Sequence, residues 1–226
     1  MRLIIACTVA FCASAAFAQT SAPPPYVLAV GQGTVSVQPD EVQIDFSVIT
    51  TATAAQSAAS QNATQTNTLI AALQQLLGKN GNVQTINYSL SPNYSYPPGG
   101  SPVLTGFTAS NTVQVTATDL SMSGTIIDTG ITAGATTVTG LQFTLQNPDP
   151  SRQQALKLAT AQAKAHAEAM ASGVGMHTGT VYSIQENVST AVIPVVLTPG
   201  TTATTPVLPG LVNVQATVTL QVTLVM

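Results

Sequence analysis

Alanine stands at positions 155, 159, 163, 167 and 171, a strict step of four. With about 3.6 residues per helical turn, such a series forms one ridge of methyl groups along a helix. A helix with that ridge lies very close to whatever it packs on. Asp149-Pro150 supplies a capping acid followed by the imino acid suited to a first helical turn, and Gly175 supplies a stop, so the spacing predicts a helix from Asp149 to Val174. Leu156, Met170 and Val174 are expected to give the contact its larger side chains, with Lys157, Lys164 and Glu168 on the wet side.

Much of the remaining chain alternates with period two. Val212, Val214, Ala216, Val218, Leu220, Val222 and Leu224 are separated by Asn, Gln and Thr, which reads as a strand with one apolar face. Val35 and Val37, then Val42, Ile44, Phe46 and Val48 beyond Pro39-Asp40, suggest a hairpin. Ile86, Tyr88 and Leu90 alternate before a Tyr- and Pro-rich loop from Pro92 to Pro102. Phe107, Ala109, Val113, Val115 and Ala117 mark a longer strand, Val138 to Leu145 another, and Val181 to Ile184 a short one. Between them, Ala55, Ala59, Ala63, Ile70, Leu73 and Leu77 step at helical spacing and stop at Gly78, with a shorter helix expected between Ser121 and Ala133. One apolar face per strand with long helices between implies an α+β fold, an antiparallel sheet with long helices packed on one face.

The first eighteen residues have the form of an export signal: Met1-Arg2, an apolar run from Leu3 to Phe17, and Ala16-Phe17-Ala18 as a small-x-small cleavage site. The expected organisation is a signal peptide over 1–18, a flexible lead over 19–26, and one domain over 27–226 with a Thr/Pro-rich loop at about 187–210. Cleavage near Ala18 leaves no stable membrane span and places the chain in the periplasm or otherwise outside the cytoplasm. Cys7 and Cys12, the two cysteines, would leave with the signal, and Phe11 before Cys12 is too bulky for lipoprotein processing. Charged residues make up 6% of the 226 and the net charge is -3, with five basic side chains. That supply cannot neutralise a run of phosphates, which argues against nucleic acid as a partner.

No catalytic, cofactor-binding or metal-binding residues emerge. Gly31-x-Gly33 lies inside a strand and lacks the lysine or third glycine of a phosphate loop, which leaves a bulge or a close backbone contact as its reading. Asp40-Glu41 is an acid pair in a turn, expected to be solvated. His166 and His177 are the only histidines, too few for a metal site without cysteine ligands. Gly-x-Ser-x-Gly does not occur. Tyr88, Tyr94 and Tyr96, interleaved with proline, are candidates for a recognition loop, since tyrosine favours contact surfaces.

VLAVGQGTVSVQPDEVQIDFSV (27–48), with Gly31, Gly33, Pro39 and Asp40, resembles the Gly-x-Gly strand and Pro-Asp turn of the SIMPL-domain family, which includes bacterial periplasmic immunogenic proteins. VQTINYSLSPNYSY (83–96), Gly106-Phe107 through Asn111, and the alanine helix before Gly175 and Gly179 extend the likeness to the C-terminus. Asn82 and His166 depart from it, standing where an acid and a lysine are usual. The resemblance implies an extracytoplasmic α+β domain, homo-oligomerisation and a link with envelope or oxidative stress, and it brings no catalytic residues.

The expectation is a non-enzymatic interaction or assembly module of the envelope that self-associates and engages envelope proteins, requiring no cofactor. The alternative is a carrier of a small apolar ligand between sheet and helices. For self-association the leading surface is the terminal strand's polar row: Asn213, Gln215, Thr217, Thr219, Gln221 and Thr223.

Overall fold

A computed structural model describes residues 24–187, 193–194 and 207–226. In chain order the elements are β1 (Tyr26–Val37), β2 (Glu41–Ala52), α1 (Ala55–Leu77), β3 (Gly81–Ser95) and β4 (Val103–Ala117). A 3-10 turn (Leu120–Met122) leads into α2 (Ser123–Thr132), then β5 (Thr137–Thr144), α3 (Asp149–Gly173), β6 (His177–Asn187), β7 (Ile193–Pro194) and β8 (Val212–Val225). The fold is α+β. Its antiparallel strands are divided between two sheets, one ordered β1-β8-β6 with β7 also on β8, the other β3-β4-β2-β5.

The expected hairpin across Pro39-Asp40 does not form. β1 pairs with β8 along its whole length, from Tyr26 opposite Thr223 to Val37 opposite Val212, while β2 lies between β4 and β5. Alternation specifies which face a strand buries, not which strand it joins. The two buried faces differ in bulk: β1 turns Ala29, Gly31 and Gly33 inward, whereas β2 turns Val42, Ile44, Phe46 and Val48 inward.

Each face meets the helix that fits it. Over the β2 sheet, α1 and α2 contribute Leu69, Leu73, Leu77, Ile126 and Ile127 to a cluster with Ile44, Phe46, Val113 and Val115. Over the β1 sheet, α3 packs its ridge: Ala163 and Ala167 cluster with Ala29, Leu220 and Val222, and Ala155 and Ala159 with Ala216 and Val218. All five ridge alanines are buried, and Lys157, Lys164 and Glu168 are exposed as expected. Leu156 is partly buried, but Met170 and Val174 face outward at 43% and 67% exposure. A helix seated by methyl groups has a narrow footprint, and those two positions fall outside it.

The helix ends show the local chemistry. Gly175, at φ 72°, lets its own N–H donate to Ser172 O and that of Met176 to Ala171 O, the paired bonds of a Schellman stop. The N-cap is Pro148 rather than Asp149, which lies in the first turn, where its charge suits the helix dipole. In α1 the buried row is Ala58, Asn62, Thr66, Leu69, Leu73 and Leu77, so the alanines at 59 and 63 lie beside it. Asn62 displaces them because its Nδ2 donates to Val48 O at 2.8 Å and to Ala109 O at 3.2 Å, stitching the helix to two strands. The Tyr/Pro loop is shorter than expected, since β3 continues through Pro92 to Ser95 and β4 begins at Val103. The expected loop at 187–210 lies largely outside the described residues.

Candidate functional site

A sheet's outer strands carry unpaired backbone groups, so how each edge is covered decides what the surface can bind. At β1 the cover is α3. Gln162 Oε1 accepts from Gln32 N, and His166 Nδ1 lies 2.8 Å from Val30 O. A carbonyl only accepts, so Nδ1 carries the proton in this bond. The helix reaches that edge because Gly31 and Gly33 have no side chain: a Cβ on Gly33 would stand 2.7 Å from Ala159 N. The Gly-x-Gly pair is thus a close-contact device.

β3 is treated differently. Among the described residues it pairs only with β4, and it is 15 residues long, without a charged side chain on either strand. Lysine, the common guard of an edge, is missing; Pro92 and register shifts at Thr85/Asn87 and Asn93/Tyr94 are its interruptions. Tyr88 and Leu90 stand opposite Asn111 and Ala109, on the face that α1 covers over β2 and β4, yet they remain 50% and 40% exposed. Tyr94, Val103 and Leu104 are likewise exposed toward the hairpin tip, where Tyr96 is 74% exposed. The tyrosines singled out in the sequence therefore lie on and beside an extended, uncharged edge.

The terminal strand is internal to its sheet. β8 runs between β1 and β6, so its backbone is paired on both sides. Its polar row is partly engaged by neighbours: Ser36 Oγ donates to Asn213 Oδ1, Asn187 Nδ2 to Thr219 Oγ1, and Ser183 Oγ to Gln221 Oε1.

The remaining candidates do not converge. His166 is held at β1, while His177 opens β6. Among the described residues no three His, Cys, Asp or Glu side chains group to hold a metal ion. Asp40, read as a solvated turn acid, accepts from the backbone N of Gln146 at 2.8 Å. Its partner lies 106 positions away, and the Pro-Asp turn was the one local sign of it. Arg152 Nη2 meets Glu186 Oε1 at 2.6 Å and ties α3 to β6; hydrogen bonding to Glu186, then its charge, raises the arginine pKa. An open groove of ≈ 470 Å³ between α1 and α2 is lined by Thr68, Ala72, Thr125, Asp128, Thr129 and Thr132. No helix among the described residues is long and apolar enough to cross a membrane.

These features define a two-sheet α+β domain with exposed tyrosine and leucine side chains along β3. The chain belongs to the SIMPL family, a protein family of unknown function (DUF541), whose model matches residues 27–222. It is 29% identical over 169 residues to the uncharacterized protein YggE of Edwardsiella ictaluri, covering 73% of this chain and 69% of that one. It is 27% identical over 172 residues to the 26 kDa periplasmic immunogenic protein of Brucella melitensis, covering 74% and 69% respectively. YggE of Escherichia coli K12 is 27% identical over 165 residues, covering 73% and 67%. Nothing in these likenesses indicates an enzymatic activity.

Proposed function

We propose that this protein is a non-enzymatic interaction module of the bacterial envelope, acting outside the cytoplasm and associating with copies of itself through the β3 edge. The observation that carries the reading is the long, charge-free β3 with Tyr88, Leu90 and Tyr94 exposed upon it. An edge of that kind adds strands readily unless something blocks it. The contrast with β1, whose edge is occupied by Gln162 and His166, supports the choice of edge. A similar protein from Brucella bears the name periplasmic immunogenic protein, and together with the leader-like residues 1–18 this supports a periplasmic location with cleavage after Ala18. Intact mass of periplasmic material beginning at Gln19 is the expected result; a chain retaining 1–18 removes that assignment.

Light scattering coupled to size exclusion at micromolar concentration tests the association. The exported chain is expected to run as a multimer, and Tyr88→Lys with Leu90→Lys to shift it toward monomer, since buried or paired like charges oppose assembly. Thr217→Lys and Thr219→Lys on the central β8 are expected to leave it assembled. A monomer at all concentrations overturns the proposal, and an oligomer indifferent to the β3 lysines but broken by the β8 ones moves the interface to the outer face of the β1-β8-β6 sheet.

A further inference from the structure

β2 reaches its last partner on β4 at Ala52, opposite Phe107, and the next residue, Gly106, lets the backbones close there: a Cβ on it would stand 2.7 Å from Ala52 O. β3 and β4 do not stop with β2. They pair onward through Tyr94 opposite Leu104 and Ser95 opposite Val103, so the β3-β4 hairpin runs past the end of β2 as a two-stranded tip. At about 3.3 Å per residue, Asn93 to Tyr96 carry the turn up to about 13 Å beyond that level.

The tip differs from an ordinary polar turn. Every residue from Tyr94 to Thr105 is exposed, and Tyr94, Tyr96, Val103 and Leu104 are among them. Tyr94 and Leu104 are cross-strand partners and share a face. No charged residue stands anywhere between Lys79 and Asp119. Much of the backbone is accounted for as well. Of the seven residues that join the strands, Tyr96 to Pro102, the three prolines 97, 98 and 102 have no N–H, and Gly100 N donates to Pro97 O at 3.1 Å. At the base of the tip Thr105 Oγ1 donates to Asn93 O, and Asn93 Nδ2 donates to Thr108 Oγ1.

We propose that this hairpin tip is a membrane anchor that seats in the headgroup region of a lipid bilayer. Leaving water costs most for charges and for unbonded N–H groups, and the tip has no charge and few such donors. Tyrosine settles at the level of lipid headgroups because its ring is apolar while its hydroxyl stays wet. Val103 and Leu104 add apolar area to the same contact. A protein partner would meet a polar rim around the aromatic anchors, whereas residues 94–104 contain no charged or amide side chain. With five basic side chains against eight acids, attraction to anionic lipid does not drive the contact, so the fitting surface is zwitterionic and the binding insensitive to salt. The anchor leaves Tyr88 and Leu90 to the association through the β3 edge, and either property stands without the other.

The chain has no tryptophan, so Tyr96→Trp places a single reporter at the tip. With phosphatidylcholine vesicles, the emission of the exported chain carrying it is expected to move to shorter wavelength and to be quenched by lipids brominated in the upper acyl chain. The shift is expected to persist when Tyr88→Lys and Leu90→Lys are added, which separates the anchor from self-association. Sedimentation of the parent with the same vesicles is expected to change less than about twofold between low salt and about 0.5 M salt. Tyr96→Asp with Leu104→Asp is expected to lower vesicle binding about tenfold or more, since a carboxylate resists leaving water. Thr217→Asp with Thr219→Asp, on β8, is expected to leave it unchanged. Emission unmoved by vesicles overturns the anchor, as does binding indifferent to the substitutions at Tyr96 and Leu104. A shift that appears without lipid and grows with protein concentration places the tip against a second copy and overturns it too. Should the Tyr96 and Leu104 variant not fold, the Tyr96→Trp emission decides alone.

Discussion

A Cβ placed on Gly31 would stand 2.9 Å from the Cα of Ala163, a separation that real Cβ atoms essentially never show. Strand and helix meet backbone to backbone at this point, and neither partner has a flexible side chain that could move aside. Gly31→Ala is therefore expected to destabilise by about 3 kcal/mol, at the upper end of overpacking penalties. Urea denaturation of the variant measures it, and a midpoint equal to the parent's would show that α3 can lift off β1 at little cost.

The same contact viewed from the helix gives a second expectation. Ala163 and Ala167 are fully buried. Leucine at either is expected to cost about 1 to 3 kcal/mol, because added methylenes must displace a packed strand. Lys157→Ala on the exposed side is expected to leave stability unchanged, and thermal melts of the three variants compare them directly.

Asn62 is buried at 0% exposure with its amide bonded to two strand carbonyls. Asn62→Ala is expected to destabilise by about 1 to 3 kcal/mol, since the hydrogen bonds are lost without giving Val48 O and Ala109 O access to water. Asn62→Leu keeps bulk but not the amide, and is expected to be no better. A leucine variant as stable as the parent in denaturant would mean that packing, not hydrogen bonding, seats α1.

The Arg152 to Glu186 pair joins side chains 34% and 36% exposed, so solvent screens it. Glu186→Gln is expected to leave the melting temperature nearly unchanged. Because the arginine pKa is raised, its contribution is present at every pH below its ordinary alkaline value and fades only above that. Melting temperatures followed from pH 5 to pH 9 should run parallel for parent and variant; an acid-dependent gap would assign Glu186 an additional role.

Much of this architecture is written in local pattern. The alternation of β8, the helix stops at Gly78 and Gly175, and the ridge of alanines each depend on residues close in sequence, and each appears in the structure where the pattern puts it. Side-chain periodicity is a property of one element, so one element's sequence suffices to state it. Pairing is different. That β1 joins β8 rather than β2, that β8 is central while β3 is an edge, and that Asn62 points inward where Ala63 does not are all decided by contacts between distant segments. Asp40 shows the limit most clearly: its neighbours mark a turn, but the group it holds is Gln146, which only the pairing of β2 with β5 brings beside it. Local sequence determined which faces are apolar and where helices stop; the fit of bulk against bulk and of glycine against alanine, available only in three dimensions, decided which faces meet.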